Sequence, residues 1–247
     1  MKKIYADLHL RPNIDDSHWV SQIMLKASKL GYRLIAMPLP YDIQEKQILH
    51  LREMAREANI DLTLRVDLTP KTPKELVYNL RRLRRKFEII AVACKSKNVA
   101  RQAAKDRRVD ILNFPQLDWR ERFFDRAEAE LASNALAAFE IDIKPLLTLE
   151  GPARVRLLSS LRREVKIAQK FKVPIVISSG VSDEYLMRKP KELAAFTFLF
   201  DMNEASAIEA VSKNPVAIVK RNREKLTSRF VAPGIRVIRS GKDCQEE

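Results

Sequence analysis

The sequence predicts an α/β fold of the TIM-barrel type, a (β/α) barrel with additional helices at its carboxyl end. Three observations carry this. Short aliphatic or β-branched runs alternate with stretches of helical spacing over the first two-thirds of the chain, joined by short loops. The runs are nearly continuous in apolar residues, the pattern of strands covered on both faces and hence of a parallel sheet with helices outside. No glycine-rich phosphate loop follows any of them, which sets aside a dinucleotide fold and leaves a doubly wound open sheet as the alternative.

The first predicted strand is Ile4–Leu8. Ser17 can cap a helix whose inner face carries Val20, Ile23, Met24 and Ala27 and which Gly31 ends. Leu34–Met37 is the second strand, and Ile48, Leu51, Met54 and Ala58 mark a helix over Ile43–Ala58. After the strand Leu62–Val66, Thr72-Pro73 opens a helix carrying Leu76, Val77, Leu80 and Leu83, with proline at its first position. Strands Ile89–Ala93, Val109–Asn113 and Ala138–Ile143 follow. Leu157, Leu161, Val165 and Ala168 form a stripe of 3.6-residue period over Pro152–Lys170, ahead of the strand Pro174–Ile177.

Beyond Ile177 the pattern becomes consecutive helices, KPKELAAFTFLFDMN, EASAIEAVSKN and PVAIVKRNREKL, with Asn214-Pro215 as a helix start. No eighth strand is evident, so the barrel is expected to close unusually. Residues 1–240 are read as one barrel domain and residues 241–247 as a disordered polar tail, with room for one short strand in PGIRVIRSGKDCQEE.

The chain has 247 residues, 46% hydrophobic and 32% charged, which suits a large single core beneath a charged surface. No apolar run approaches the roughly 20 residues that span a bilayer, and MKKIYADLHL does not read as a leader. Cys94 and Cys244 make no disulfide framework, so a cytoplasmic protein with no membrane association is expected. The net charge of +14 points to a polyanionic partner, most often nucleic acid.

The stretch YADLHLRPN raises the question of a metal site. Asp7 and His9 are two apart and share a face on a strand, and Arg11 is next on that face. A hydrolytic metal centre needs several convergent His, Asp or Glu ligands. There are three histidines, and His18 and His50 read as surface or packing residues. Arg11 has no lone pair to offer and is expected to pair with Asp7. Asp7 and His9 are therefore read as a polar pair at the barrel mouth, with no metal and no catalytic residue assigned. Glu140 and Asp142 also share a strand face, either as an acid–base pair or as partners of Lys144 or of mouth arginines. Ser178–Gly180 is not a nucleophile elbow, and no histidine is placed to serve a serine.

Cations cluster in three places. Arg11, Arg65, Lys95, Lys97 and Lys144 lie at predicted carboxyl ends of strands, the rim where function gathers in barrels. Arg81, Arg82, Arg84 and Arg85 fan out around Leu80 and Leu83, just ahead of a strand and so toward the amino end of the barrel. Both sets are candidates for RNA or partner binding. A third set comprises Arg188, Lys189, Lys191, Lys220, Arg221, Arg223 and Lys225. Aromatic residues interleaved with these cations look sparse, which favours recognition of shape and phosphate over stacking on bases.

Taken in order, YADLHL, LGYRLIAMP, LRVDL, FEIIAVAC, VDILNFP, AFEIDIKPLL, VPIVISSG, MRKPKELAAF and EASAIEAVSKNP resemble the archaeal ribonuclease P protein component 3 family, from Tyr5 to about Lys225. The resemblance implies a TIM-barrel-like fold related to the PHP metallohydrolases, which typically open with Asp-x-His-x-His. Here the motif is Asp7-Leu8-His9-Leu10-Arg11, with arginine in place of the second histidine. It further implies a subunit of the endoribonuclease that removes the 5′ leader of precursor tRNA. In such a complex the RNA subunit performs hydrolysis with Mg2+, and this chain binds no cofactor of its own. The implied partners are the ribonuclease P RNA, precursor tRNA, protein component 2 and the other ribonuclease P proteins. The alternative is a stand-alone PHP-type metal-dependent phosphoesterase with a degenerate metal site.

Overall fold

The computed structural model of the chain describes residues 3–232 and 235–237, so the expected tail at 241–247 and Cys244 lie outside the described residues. One parallel sheet runs in sequential order through β1 (Ala6–Asp7), β2 (Leu34–Pro38), β3 (Asp61–Leu68), β4 (Ile89–Ala93), β5 (Ile111–Asn113), β6 (Ala138–Asp142) and β7 (Ile175–Ser178). A doubly wound sheet would reverse its strand order at a switch point. This one never does, and the alternative falls.

Helices α1 (Ser17–Leu30), α2 (Glu45–Glu57), α3 (Pro73–Leu83), α4 (Lys97–Lys105) and α5 (Arg126–Ala135) connect successive strands, and α6 (Lys144–Thr148) with α7 (Gly151–Lys170) joins β6 to β7. After β7 come α8 (Pro190–Ala195), α9 (Glu204–Ala210) and α10 (Lys213–Lys225). A short antiparallel ribbon of β8 (Phe230–Ala232) and β9 (Ile235–Arg236) follows. Local chemistry accounts for the helix ends. Asp16, not Ser17, caps α1 by accepting from the Trp19 N–H at 3.0 Å, and Gly31 ends it with φ of 101°. The Thr72 hydroxyl caps α3. α10 starts at Lys213, just before the expected Asn214-Pro215.

Each strand sorts its residues onto two faces. The outer face packs Ile35, Met37, Leu62, Leu64, Val66, Ile90, Val92, Phe139 and Ile177 against the helices in the main core. The inner face fills the lower lumen with Ala6, Leu8, Leu34, Ala36, Ile89, Ala91, Ile111, Ala138 and Val176. Ile218 and Val219 of α10 join that inner cluster and plug the barrel floor. Burying two such side chains contributes about 1.5–3 kcal/mol each.

α9 and α10 also explain the missing eighth strand. Between β1 and β7 the Ala6 N–H donates to the Val211 carbonyl at 2.9 Å, and the Asn214 amide donates to the Ile175 carbonyl at 2.8 Å. At the other end the Gly180 N–H donates to the His9 carbonyl at 3.0 Å and the Arg11 N–H to the Val181 carbonyl at 2.8 Å. Loop and helix thus stitch the gap that a strand would fill. Among the described residues no helix is long and apolar enough to cross a membrane.

Candidate functional site

The upper lumen is polar where the lower lumen is apolar. Thr63, Arg65 and Asp67 of β3 alternate with the outer Leu62, Leu64 and Val66, so they point inward with Asn113, Glu140, Asp142 and Ser178. Arg65 is fully buried. Its Nε donates to Asp67 Oδ1 at 2.6 Å, and Nη1 and Nη2 donate to the two Glu140 oxygens at 2.7 Å each. Nη1 also reaches the Leu8 carbonyl at 2.7 Å. Glu140 is completed by the Ser178 hydroxyl at 2.8 Å and the Asn113 amide at 3.0 Å, and that amide also donates to Asp142 at 3.0 Å. This bidentate, well-bonded geometry is the kind that offsets the cost of burying a charge pair.

His9 closes the network from above. Its Nδ1 lies 2.8 Å from Asp142 Oδ1 and its Nε2 3.0 Å from Asp67 Oδ2. Burial and the Arg65 charge both push the imidazole down, but Asp142, Asp67 and Glu140 together outweigh them and raise it to about 10. Burial pulls Asp67 and Asp142 up; the Arg65 and His9 charges overcome it and hold both below the usual carboxylate range. The imidazole is therefore a cation held between two carboxylates.

Asp7 departs from the expected pairing. Ala6 and Leu8 face the lumen, so Asp7 faces the helices, and it does not share a face with His9 because β1 ends at Asp7 and the chain bends at Leu8. Its Oδ1 accepts from the Ser179 and His9 N–H groups, both at 3.1 Å, while Oδ2 has no hydrogen-bond partner among the described residues. Burial raises its carboxyl above the ordinary range. Arg11 is exposed and does not supply the pairing expected of it. The arginine that meets carboxylates in the mouth is Arg65, from another strand. Gly180 is demanded by this packing: its φ is +65°, and a Cβ there would lie 2.8 Å from Asp142 Cβ.

A cavity of about 190 Å³ opens above the network, lined by Arg11, Lys144, Asn113, Asp142 and Gly180 among others. Lys95 and Lys97 are exposed beyond β4. Arg65 is corrected from rim cation to internal brace, because it is fully buried and all three guanidinium nitrogens donate to protein acceptors. Arg84 is corrected in part: it is partly buried and donates to Asp110 and to the Arg108, Phe87 and Glu88 carbonyls. Arg221 and Arg223 of the third set are likewise committed, to Asp110 and to Asp61 and Glu88.

The sequence reading missed Asp67 and Asn113 and weighed Ser178 only as part of a possible nucleophile turn. For Asp67 the signal was available: Arg65-x-Asp67 repeats the spacing of two that drew attention to Asp7 and His9 and to Glu140 and Asp142. The donors that come near enough to share a metal ion are His9, Glu140 and Asp142, with ligand atoms within 4.8 Å of one another. All three are engaged in the network above. His18 and His50 are exposed, in keeping with surface roles.

The model of the RNase P subunit p30 family matches residues 4–227. The chain is 30% identical over 234 residues to ribonuclease P protein component 3 of Methanosarcina barkeri, covering 94% of this chain and 92% of that protein. By fold it is similar to a chain in a cryo-EM structure of archaeal ribonuclease P with mature tRNA, with a TM-score of 0.83, 23% identity, and coverage of 96% of this chain and all of that one. A lactonase from Listeria monocytogenes shares the fold more distantly, at a TM-score of 0.53 and 10% identity over 88% of this chain and 94% of that one.

Proposed function

The chain belongs to the RNase P subunit p30 family, and from that premise we propose that it works as a protein subunit of an archaeal-type ribonuclease P, assisting the RNA subunit in removing the 5′ leader of precursor tRNA. In this reading the RNA performs phosphodiester hydrolysis with Mg2+, and the protein binds no catalytic ion. Protein component 2 is its nearest protein partner. Folded RNA crowds phosphates together, and exposed lysine and arginine offset that repulsion. The net charge of +14 suits this role.

The observation that carries the non-catalytic part of the reading is the position of Arg65. Its guanidinium donates to both oxygens of Glu140, a candidate metal ligand, at 2.7 Å. A divalent ion bound by His9, Glu140 and Asp142 would sit against a permanent positive charge. The donor set does not fit a metal, which disfavours a stand-alone phosphoesterase.

The test is cleavage of precursor tRNA by the cognate RNA at limiting Mg2+, comparing RNA alone, RNA with component 2, and RNA with component 2 and this chain. Efficient cleavage only in the last mixture is expected. Hydrolysis of a generic phosphate ester by this chain with added Mn2+ or Zn2+, and no stimulation of the RNA, would overturn the reading.

A further inference from the structure

Most arginines in this chain whose contacts define the barrel are paired with carboxylates: Arg65, Arg84, Arg101, Arg108, Arg122, Arg221 and Arg223. The outer face of α3 differs. Arg81 and Arg82 at its end, and Arg85 in the turn that follows, are exposed and make no ion pair among the described residues. The one carboxylate within the helix, Glu75, accepts from the Lys71 N–H at 2.8 Å at the helix start.

The same face carries two exposed aromatic rings. Tyr78 is 63% exposed and precedes Arg81 and Arg82 by three and four residues, so it neighbours them on the helix surface. Tyr41, 57% exposed, comes from the loop after β2. Lys86 anchors that loop, its Nζ donating to the Tyr41 and Ile43 carbonyls at 3.0 and 2.9 Å. The Arg82 guanidinium then lies 5.1 Å from the Tyr41 ring centroid and 5.9 Å from that of Tyr78. The interleaving of aromatic and basic groups that looked sparse along the sequence is assembled here from two segments.

We infer that Tyr41, Tyr78 and Arg82 form a stacking platform for unpaired RNA bases, with Arg81 and Arg85 holding the adjoining phosphates. The inference rests on the ribonuclease P reading and narrows it to one surface and one kind of RNA element. Exposed tyrosine and arginine planes are what unstacked bases pack on, and uncompensated cations beside them are what a backbone needs. A duplex hides its bases from such a surface and gains only the charge contacts. Tyrosine and arginine also suit a protein interface, but the net charge of +14 and the three exposed cations beside the rings favour a phosphate backbone over an acidic protein surface.

The two contributions separate experimentally. Using the full chain with component 2, we would titrate a uridine 12-mer and a duplex of the same length across a salt series, then repeat with variants. Tyr78→Ala is expected to weaken single-strand binding roughly ten-fold while leaving its salt slope unchanged, as for loss of one stacked base. Arg81→Ala with Arg85→Ala should flatten that slope by about 1.4, the loss of two phosphate contacts on a single strand. Tyr78→Trp should keep the affinity, and its added indole fluorescence should be quenched by the single strand and not by the duplex. Unchanged single-strand affinity of Tyr78→Ala, or equal quenching by duplex, overturns the platform. So does loss of component 2 capture in Tyr78→Ala with RNA binding intact, which makes the face a protein interface. The family reading is judged separately, by whether the parent chain stimulates precursor-tRNA cleavage at all.

Discussion

Arg65 and Arg82 belong to the same strand–helix unit, β3 and α3, and end in opposite circumstances. Arg65 is fully buried, with its donors on Asp67, Glu140 and the Leu8 carbonyl. Arg82 is exposed between two tyrosine rings with no carboxylate partner among the described residues. The contrast separates what the net charge of +14 blends together. Some cations neutralise buried carboxylates and hold the barrel closed; others project and remain available. Only the second kind bears on a polyanionic partner.

The largest effect expected from this contrast lies inside. Arg65→Met leaves Glu140 as an uncompensated buried charge and is predicted to destabilise the fold by about 3–5 kcal/mol. Chemical denaturation reads this directly. Adding Glu140→Leu should restore part of the loss, since it removes the orphaned Glu140 charge but leaves Asp67 without its Arg65 partner. A single variant as stable as the parent would mean that Arg65 is not what neutralises the mouth.

Next comes pH. The folded His9 imidazole is raised to about 10 from an ordinary 6.5, so its stabilisation is full below about pH 6.5 and is lost as pH climbs through 10. Over that window the parent should lose on the order of 5 kcal/mol, and His9→Gln should show a flatter profile there. Parallel profiles for the two proteins would place the imidazole proton elsewhere.

A smaller cost is expected at Gly180. Gly180→Ala combines a left-handed φ of +65° with a Cβ 2.8 Å from Asp142 Cβ. It is predicted to cost at least about 1 kcal/mol and to shift the His9 titration through Asp142. NMR of the His9 ring across pH checks the second part.

The contrast also marks how far the sequence could be read. All seven strands were legible because short aliphatic or β-branched runs recur between helical stretches, although β3 alternates Leu62, Leu64 and Val66 with the polar Thr63, Arg65 and Asp67 of the lumen. Closure by α9 and α10 was not, because Val211 and Asn214 act through a carbonyl and an amide that carry no periodic signal. His9 was legible as a residue of the mouth, but Asp7 faces the helices and Arg11 was mistaken for the arginine of the mouth. Spacing along one strand identifies neighbours on that strand; Arg65 reaches Glu140 across the lumen, and only barrel geometry brings them together. In the same way, Tyr41 and Tyr78 lie far apart in sequence and meet Arg82 only because Lys86 pins the loop after β2.

The smallest effect belongs to the outer face of α3. Arg81→Ala with Arg85→Ala is predicted to change stability by no more than about 0.5 kcal/mol, since neither side chain is buried or paired. That near-neutrality is what distinguishes a binding surface from a brace. Helix formation slightly favours alanine at Arg81, and Arg85 lies in the turn after α3, so any substantial loss must come from contacts that the fold depends on. If thermal unfolding of this variant moved as far as that of Arg65→Met, the face would be holding the loop after β2 in place. The cations of α3 would then be structural like those of the lumen. If unfolding stays put while RNA affinity falls, the division drawn by Arg65 and Arg82 is one of function as well as burial.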